Sequence, residues 1–411
     1  MTHRPHMTHS LHSLALASIA LLSPTALACD GPTPPPVRPP VDIAICLDIS
    51  GSMDGLIDSA KARLWSVVND LATAKPVPEL RVALLTYGCD AYDANTGWVV
   101  VDSGLTEDLD LISQKLFALK TNGGTELVGR VVDKAAQSLE WSTDPNALKI
   151  IIVAGNEGAD QDTVITYQAA SKTSIEKGIL VNSIFCGSSA DPIATAWAEV
   201  AKLADGQFLC IDQSTGAVVA ETPFDAQLTT LSASINTTYL PMGTAGREAW
   251  ANQAAQDANA AGLGGGVAAQ RCQTKGGELY DNRQWDLVDG CSKGTMKLED
   301  IKDEDLPEAM RGKSLDEKKR ILASNETRRK DIQKEIGDIQ VKRDSFVAEE
   351  SRKRATTQGA TLDDALKQAI RTQATQKGMQ FAPPVAVDAP DAPGKAPATP
   401  AAPAQSGAPG A

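Results

Sequence analysis

The chain has 411 residues, 42% hydrophobic, 22% charged and only 4% aromatic, with a formal net charge of −13. That length supplies one aliphatic core of roughly 150–200 residues with segments left over. An acidic balance argues against nucleic acid and against anionic membrane surfaces as partners, and it fits a cation or a basic partner.

Residues 1–28 read as an export signal. Arg4 gives a weak positive start, Leu14 to Leu22 is an apolar run too short to span a bilayer, and Ala26-Leu27-Ala28 is a small-residue cleavage site. The expected location is therefore the periplasm or the cell surface. Cys29 follows the cleavage site, and Thr25-Ala26-Leu27-Ala28-Cys29 resembles a bacterial lipobox with Ala26 where Leu is usual. Cys29 is thus a lipidation candidate, and a lipid anchor there stands against simple cleavage and release. All four histidines (His3, His6, His9 and His12) lie within the signal, whose only charge is Arg4. The mature chain would then carry −14 (−13 minus 1) and no histidine. This excludes Ser-His-Asp and Cys-His catalysis and histidine-ligated zinc.

Residues 29–40 form a Pro-rich spacer. From residue 41 strands and helices alternate. Val41–Asp48 is a continuous apolar run of the kind buried in a parallel sheet, and Leu56–Ala74 has helical periodicity ended by Pro76 and Pro78. Arg81–Tyr87 and Trp98–Asp102 read as strands, Leu109–Leu119 and Glu126–Trp141 as helices. Lys149–Ala154, Ile179–Phe185 and Gln207–Ile211 read as three more strands, with helices Thr163–Lys177 and Asp191–Leu203 between them. The expected fold class is α/β: a doubly wound, mostly parallel, six-stranded sheet over residues 41–213.

Residues 214–300 read as a mixed, Gly-rich extension, and residues 301–380 as a charged helical segment. Ser314-Leu315-Asp316-Glu317 is a capping-box signature. The helix after it carries a stripe of Leu322, Ile332, Ile336, Ile339 and Phe346, interrupted by Arg329 and Arg343. Three readings stay open: a short coiled coil, a partner-binding helix, or a helix that packs its stripe back on the domain. A shorter helix begins near Leu362, and residues 381–411 are an Ala/Pro-rich tail that reads as disordered.

The first strand ends in Asp48-Ile49-Ser50-Gly51-Ser52, running into a helix. A carboxylate and two hydroxyls at i, i+2 and i+4 on a tight turn converge on one point. They are hard ligands, suited to magnesium, manganese or calcium rather than zinc. The competing reading is that these oxygens only cap the following helix. Asn122-Gly123-Gly124-Thr125, leading into Glu126, is a second small-residue turn before a helix.

The stretches LDISGSM and NGGTE, in this strand order, resemble the von Willebrand factor type A domain and its metal-ion-dependent adhesion site. The resemblance covers about residues 41–213. It implies a sheet of order 3-2-1-4-5-6, with Ser50, Ser52 and Thr125 supplying hydroxyls to a divalent cation and Asp48 a carboxylate. A carboxylate from a protein partner would complete the shell. The chain departs from the family after its fourth strand. Where the family has Thr-Asp-Gly, this chain has Ala154-Gly155-Asn156-Glu157, so Gly155 takes the Asp position. Asn156, Glu157 and Asp90 are the candidates to replace that Asp. The implied strand order also suggests disulfides Cys46–Cys89 and Cys186–Cys210, with Cys272–Cys291, spaced to close one loop, as the third, against Cys46 as a buried free thiol.

The resemblance implies an exported envelope protein that binds another protein through a metal site. The alternative is a structural, oligomerising envelope protein whose domain binds no metal. A histidine-free hydrolase ranks last, since Ser50, Ser52 and Ser188 lie in no nucleophile elbow and no phosphate-binding loop is present.

Overall fold

A computed structural model describes residues 38–211, 219–358 and 362–381. The expected signal, Cys29, most of the Pro-rich spacer and residues 382–411 lie outside the described residues. Six strands form one sheet: β1 (Pro40–Asp48), β2 (Glu79–Tyr87), β3 (Val99–Thr106), β4 (Leu148–Gly155), β5 (Leu180–Phe185) and β6 (Phe208–Cys210). Their order is β3-β2-β1-β4-β5-β6. Only β3 runs antiparallel, against β2, with register shifts near Leu84. The other pairs are parallel, so β1, β2, β4 and β5 end on one edge.

Both faces of the sheet are buried, which is why its strands read as unbroken apolar runs rather than alternating ones. Ile43 and Leu47 of β1 and Ile150 and Ile152 of β4 face one side. There they meet α1 (Asp54–Ala72), α2 (Leu109–Ala118) and α11 (Leu362–Gln376). Ala44, Cys46, Ile151 and Val153 face the other side, against α3 (Val128–Ser138), α4 (Tyr167–Glu176) and α5 (Ala194–Leu203).

The stretch expected to be mixed is helical. It comprises α6 (Asp225–Asn236), α7 (Gly243–Gly262), α8 (Gly265–Gly276) and the short α9 (Leu287–Ser292). Gly243, Gly262, Gly265 and Gly276 fall at helix ends, where they punctuate rather than break the helices. The extension is fused to the sheet domain. Arg271 on α8 pairs with Asp110 on α2 at 2.7 Å, with its guanidinium 4.5 Å from the Trp65 ring of α1. Ser113 donates to Gln256 at 2.9 Å.

The charged helix α10 (Leu315–Gln358) packs its stripe back on this extension. Ile332, Ile336 and Ile339 are buried with Leu228, Ile235, Cys272 and Tyr280. The two arginines that interrupt the stripe anchor it: Arg329 pairs with Asp286 at 2.6 Å, and Arg343 with Asp225 at 2.9 Å. The coiled-coil reading gives way here, because the face it needs is already covered. Helix α11 then returns to the sheet. Asn182 and Gln373 exchange amide hydrogen bonds of 3.1 and 2.8 Å in the interior.

None of the expected disulfides is present among the six described cysteines. Within each expected pair the two residues look into different cores. Cys46 packs on the α3–α5 side, whereas Cys89 sits with Ile49 and Ile57. Cys186 belongs to the α1 side, and Cys210 packs against the opposite one. Cys272 joins the α10 stripe, and Cys291 packs beside Leu287 and Met296.

Candidate metal centre

Three turns meet at the carboxyl edge of the sheet. In the first, after β1, the Ser50 backbone N–H donates to Asp48 Oδ1 at 2.7 Å, and both residues are buried. The Ile49 N–H donates to the Tyr87 carbonyl at 2.9 Å, holding the turn against β2. Helix α1 starts after Met53 with no side-chain cap. The capping reading of Asp48, Ser50 and Ser52 therefore fails. Their oxygens are turned to one another instead, with the two serine Oγ atoms 3.4 Å apart.

The second turn carries Thr125. Asn122 N–H donates to the Ile49 carbonyl at 2.9 Å, and Asp90 N–H donates to the Gly123 carbonyl at 2.8 Å. These bonds stitch the turn to those after β1 and β2. Gly124 lies so close to the Gly88 backbone that a Cβ would come within 2.5 Å of its carbonyl oxygen. Only glycine permits that approach. Thr125 follows half-buried, and the next side chain, Glu126, turns inward against Asp48.

The third turn follows β4. Asn156 Nδ2 donates to Ser52 Oγ at 2.9 Å, so this residue joins the site. Glu157 is exposed at the rim and acts on Asp48 and Glu126 only through its charge. Asp90 is likewise exposed. Gly155 has no room for a side chain: a Cβ would lie 2.6 Å from Tyr87 Oη and 3.1 Å from Trp197 Cη2. Tyr87 is fixed there by donating to the Ala154 carbonyl at 3.0 Å, and Trp197 by donating to the Glu157 carbonyl at 2.8 Å.

Of the residues expected from the sequence, the fold brings Asp48, Ser50, Ser52 and Asn156 together. It sets Thr125 on the adjoining turn and leaves Glu157 and Asp90 on the rim. Glu126 was not among the expected site residues. Its signal was a carboxylate directly after the Gly-Gly-Thr turn.

Burial pushes the Asp48 carboxyl up; the neighbouring Glu126 carboxyl and hydrogen bonding to Ser50 oppose this only in part. Burial also pushes Glu126 up, reinforced by the Asp48 charge beside it. Asp48 Oδ2, Glu126 Oε2 and Asn156 Oδ1 are each buried without a hydrogen-bond partner. Buried polar atoms are rarely left so, and three in one place call for an ion or a proton. Carboxylate, hydroxyl and amide oxygens together fit a hard divalent cation.

Residues 42–199 match the von Willebrand factor type A domain family. No curated protein matches the chain. Among solved structures, 203 chains match. One is a von Willebrand factor type A protein from Catenulispora acidiphila, 21% identical over 44% of this chain and 40% of that one, with a TM-score of 0.34. Another is the vWF domain of the type V pili tip protein Mfa5 from Porphyromonas gingivalis, 14% identical over 44% of this chain and 93% of that one, TM-score 0.35. A third is the pilus adhesin SpaC from Lactobacillus rhamnosus GG, 14% identical over 51% of this chain and 32% of that one, TM-score 0.34. The chain thus spans less than half the length of the first of these.

Proposed function

We propose that this chain, which carries a von Willebrand factor type A domain, is an exported binding protein that engages another protein through a divalent cation held at the carboxyl edge of its sheet. Ser50, Ser52 and Thr125 would offer neutral oxygens and Asp48 a carboxylate to Mg2+ or Mn2+, with Ca2+ as the larger option. An acidic side chain of the partner would complete the shell. The carrying observation is the fully buried Asp48 with Oδ2 unpartnered among hydroxyls. A buried carboxylate with no compensating partner costs several kcal/mol, and a bound cation removes that cost.

Export and a place at the cell envelope rest on the sequence pattern of residues 1–28, and anchoring on Cys29. Mass spectrometry of the mature N-terminus decides between an acylated Cys29 and release.

The cation is tested by calorimetric titration of Mg2+ and Mn2+ into the full chain and into Asp48→Ala. Saturable binding at one site is expected in the wild type. In the variant it should weaken by more than the roughly 10–100-fold that outer-shell changes cost. Equal binding by both proteins, or none by either, overturns the reading.

A further inference from the structure

We infer that Glu126 is the second anionic ligand of this site, standing in for the carboxylate that position 155 cannot supply. The inference rests on the cation reading above and adds to it a residue on the opposite side of Asp48.

The closed position comes first. The space beyond Gly155 is filled by the Tyr87 hydroxyl and the Trp197 ring, so position 155 itself cannot carry an acidic side chain into the site. The chain has the complementary arrangement on the other flank. Asp48 Oδ1 and Glu126 Cγ both crowd the same spot over Gly88, 2.6 and 3.1 Å from where its Cβ would stand. The positive φ of +78° at Gly88 and its missing side chain open that spot. Helix α3 does not begin until Val128, so Glu126 sits in the turn, and the tight packing of Gly124 on Gly88 sends it inward.

Glu126 is only 8% exposed, and its Oε2, like Asp48 Oδ2, is buried without a hydrogen-bond partner. Two carboxylates facing each other out of water repel strongly. The Tyr87 hydroxyl cannot relieve them, because it is committed to the Ala154 carbonyl. A divalent cation bridging the two is matched charge for charge, while Ser50, Ser52 and Thr125 fill its shell with neutral oxygens. The number of carboxylates is thereby kept, and only their direction of approach changes.

The test uses the full chain and two readouts, Mn2+ calorimetry and the thermal midpoint with Mn2+ or with EDTA. Glu126→Gln keeps the shape and removes the charge. It should weaken Mn2+ binding by about tenfold or more and lose most of the Mn2+-induced rise in midpoint. In EDTA the same variant should melt higher than the wild type, because the facing charges are gone; a residue needed only for packing would give no such crossover. Asp58→Asn, an exposed carboxylate on α1, should change neither readout. If the glutamine variant does not fold, Glu126→Ala is read by the same two measures. A Glu126→Gln protein that binds Mn2+ as tightly as wild type, while Asp48→Ala does not, overturns the role of Glu126 and leaves the cation reading standing. A wild-type chain that takes up neither Mn2+ nor Mg2+ overturns both.

Discussion

The Asn156 side-chain amide lies 2.9 Å from the Ser52 hydroxyl oxygen and ties the turn after β4 to the turn after β1. Its Oδ1 is buried and unpartnered, so this residue offers the site a neutral oxygen where a carboxylate could stand. Asn156→Asp should therefore tighten Mn2+ binding by a factor on the order of 10, since ligand charge sets affinity at oxygen sites. In EDTA it should lower the thermal midpoint, because a third carboxyl joins Asp48 and Glu126. Calorimetry and a melting curve check both halves.

Position 155 should resist repair. Gly155→Asp drives a side chain into Tyr87 Oη and Trp197, and overpacking of this kind costs about 1–3 kcal/mol. Chemical denaturation should show that loss, with no gain in Mn2+ affinity. Adding Tyr87→Phe, which removes the hydroxyl, should recover part of the stability.

Helix α10 is held by its buried arginines. Arg329 is 4% exposed, pairs with Asp286 and Asp289, donates to the Thr238 carbonyl at 2.8 Å and lies 4.0 Å over the Tyr239 ring. Arg329→Ala leaves a fully buried Asp286 without its counter-charge and should cost about 3–5 kcal/mol. The loss should appear first as faster amide exchange in α9 and α10, ahead of the sheet.

Acid should weaken the turn before α4. Asp162 accepts from Arg130 Nε at 3.0 Å and from the Val164 and Ile165 N–H groups at 2.8 and 3.1 Å. Burial pushes its carboxyl up, but Arg130 and the two amides outweigh that and hold it below the ordinary range. The unfolded chain thus takes the proton more readily. The stabilisation is complete above the unfolded value of about 4 and is lost as pH falls through the lower folded value. Urea midpoints across that range should fall less steeply in Asp162→Asn than in wild type.

The doubly wound sheet was legible because burial on both faces leaves unbroken apolar runs such as Val41–Asp48. The turn after β1 was legible because Asp48, Ser50 and Ser52 sit close in sequence. Glu126 was not, since its inward direction depends on Gly124 packing against Gly88, a contact between distant segments. The cysteine pairs failed for a similar reason. Strand order says which strands are neighbours but not which face Cys186 and Cys210 occupy, and a one-residue offset reverses the face. Residues 240–300 looked mixed because Gly243, Gly262, Gly265 and Gly276 suggested loops, yet each sits at a helix end. Arg329 and Arg343 looked like breaks in a heptad seam, and only their partners Asp286 and Asp225 show them to be anchors.

The most direct test of the cation site is a crystal of the full chain grown with Mn2+ and measured for anomalous scattering. The account predicts a single strong peak within about 2.0–2.4 Å of Ser50 Oγ and Ser52 Oγ, on the side of Asp48 and Thr125. A saturated crystal with no peak there, or with Mn2+ bound only elsewhere, would contradict it.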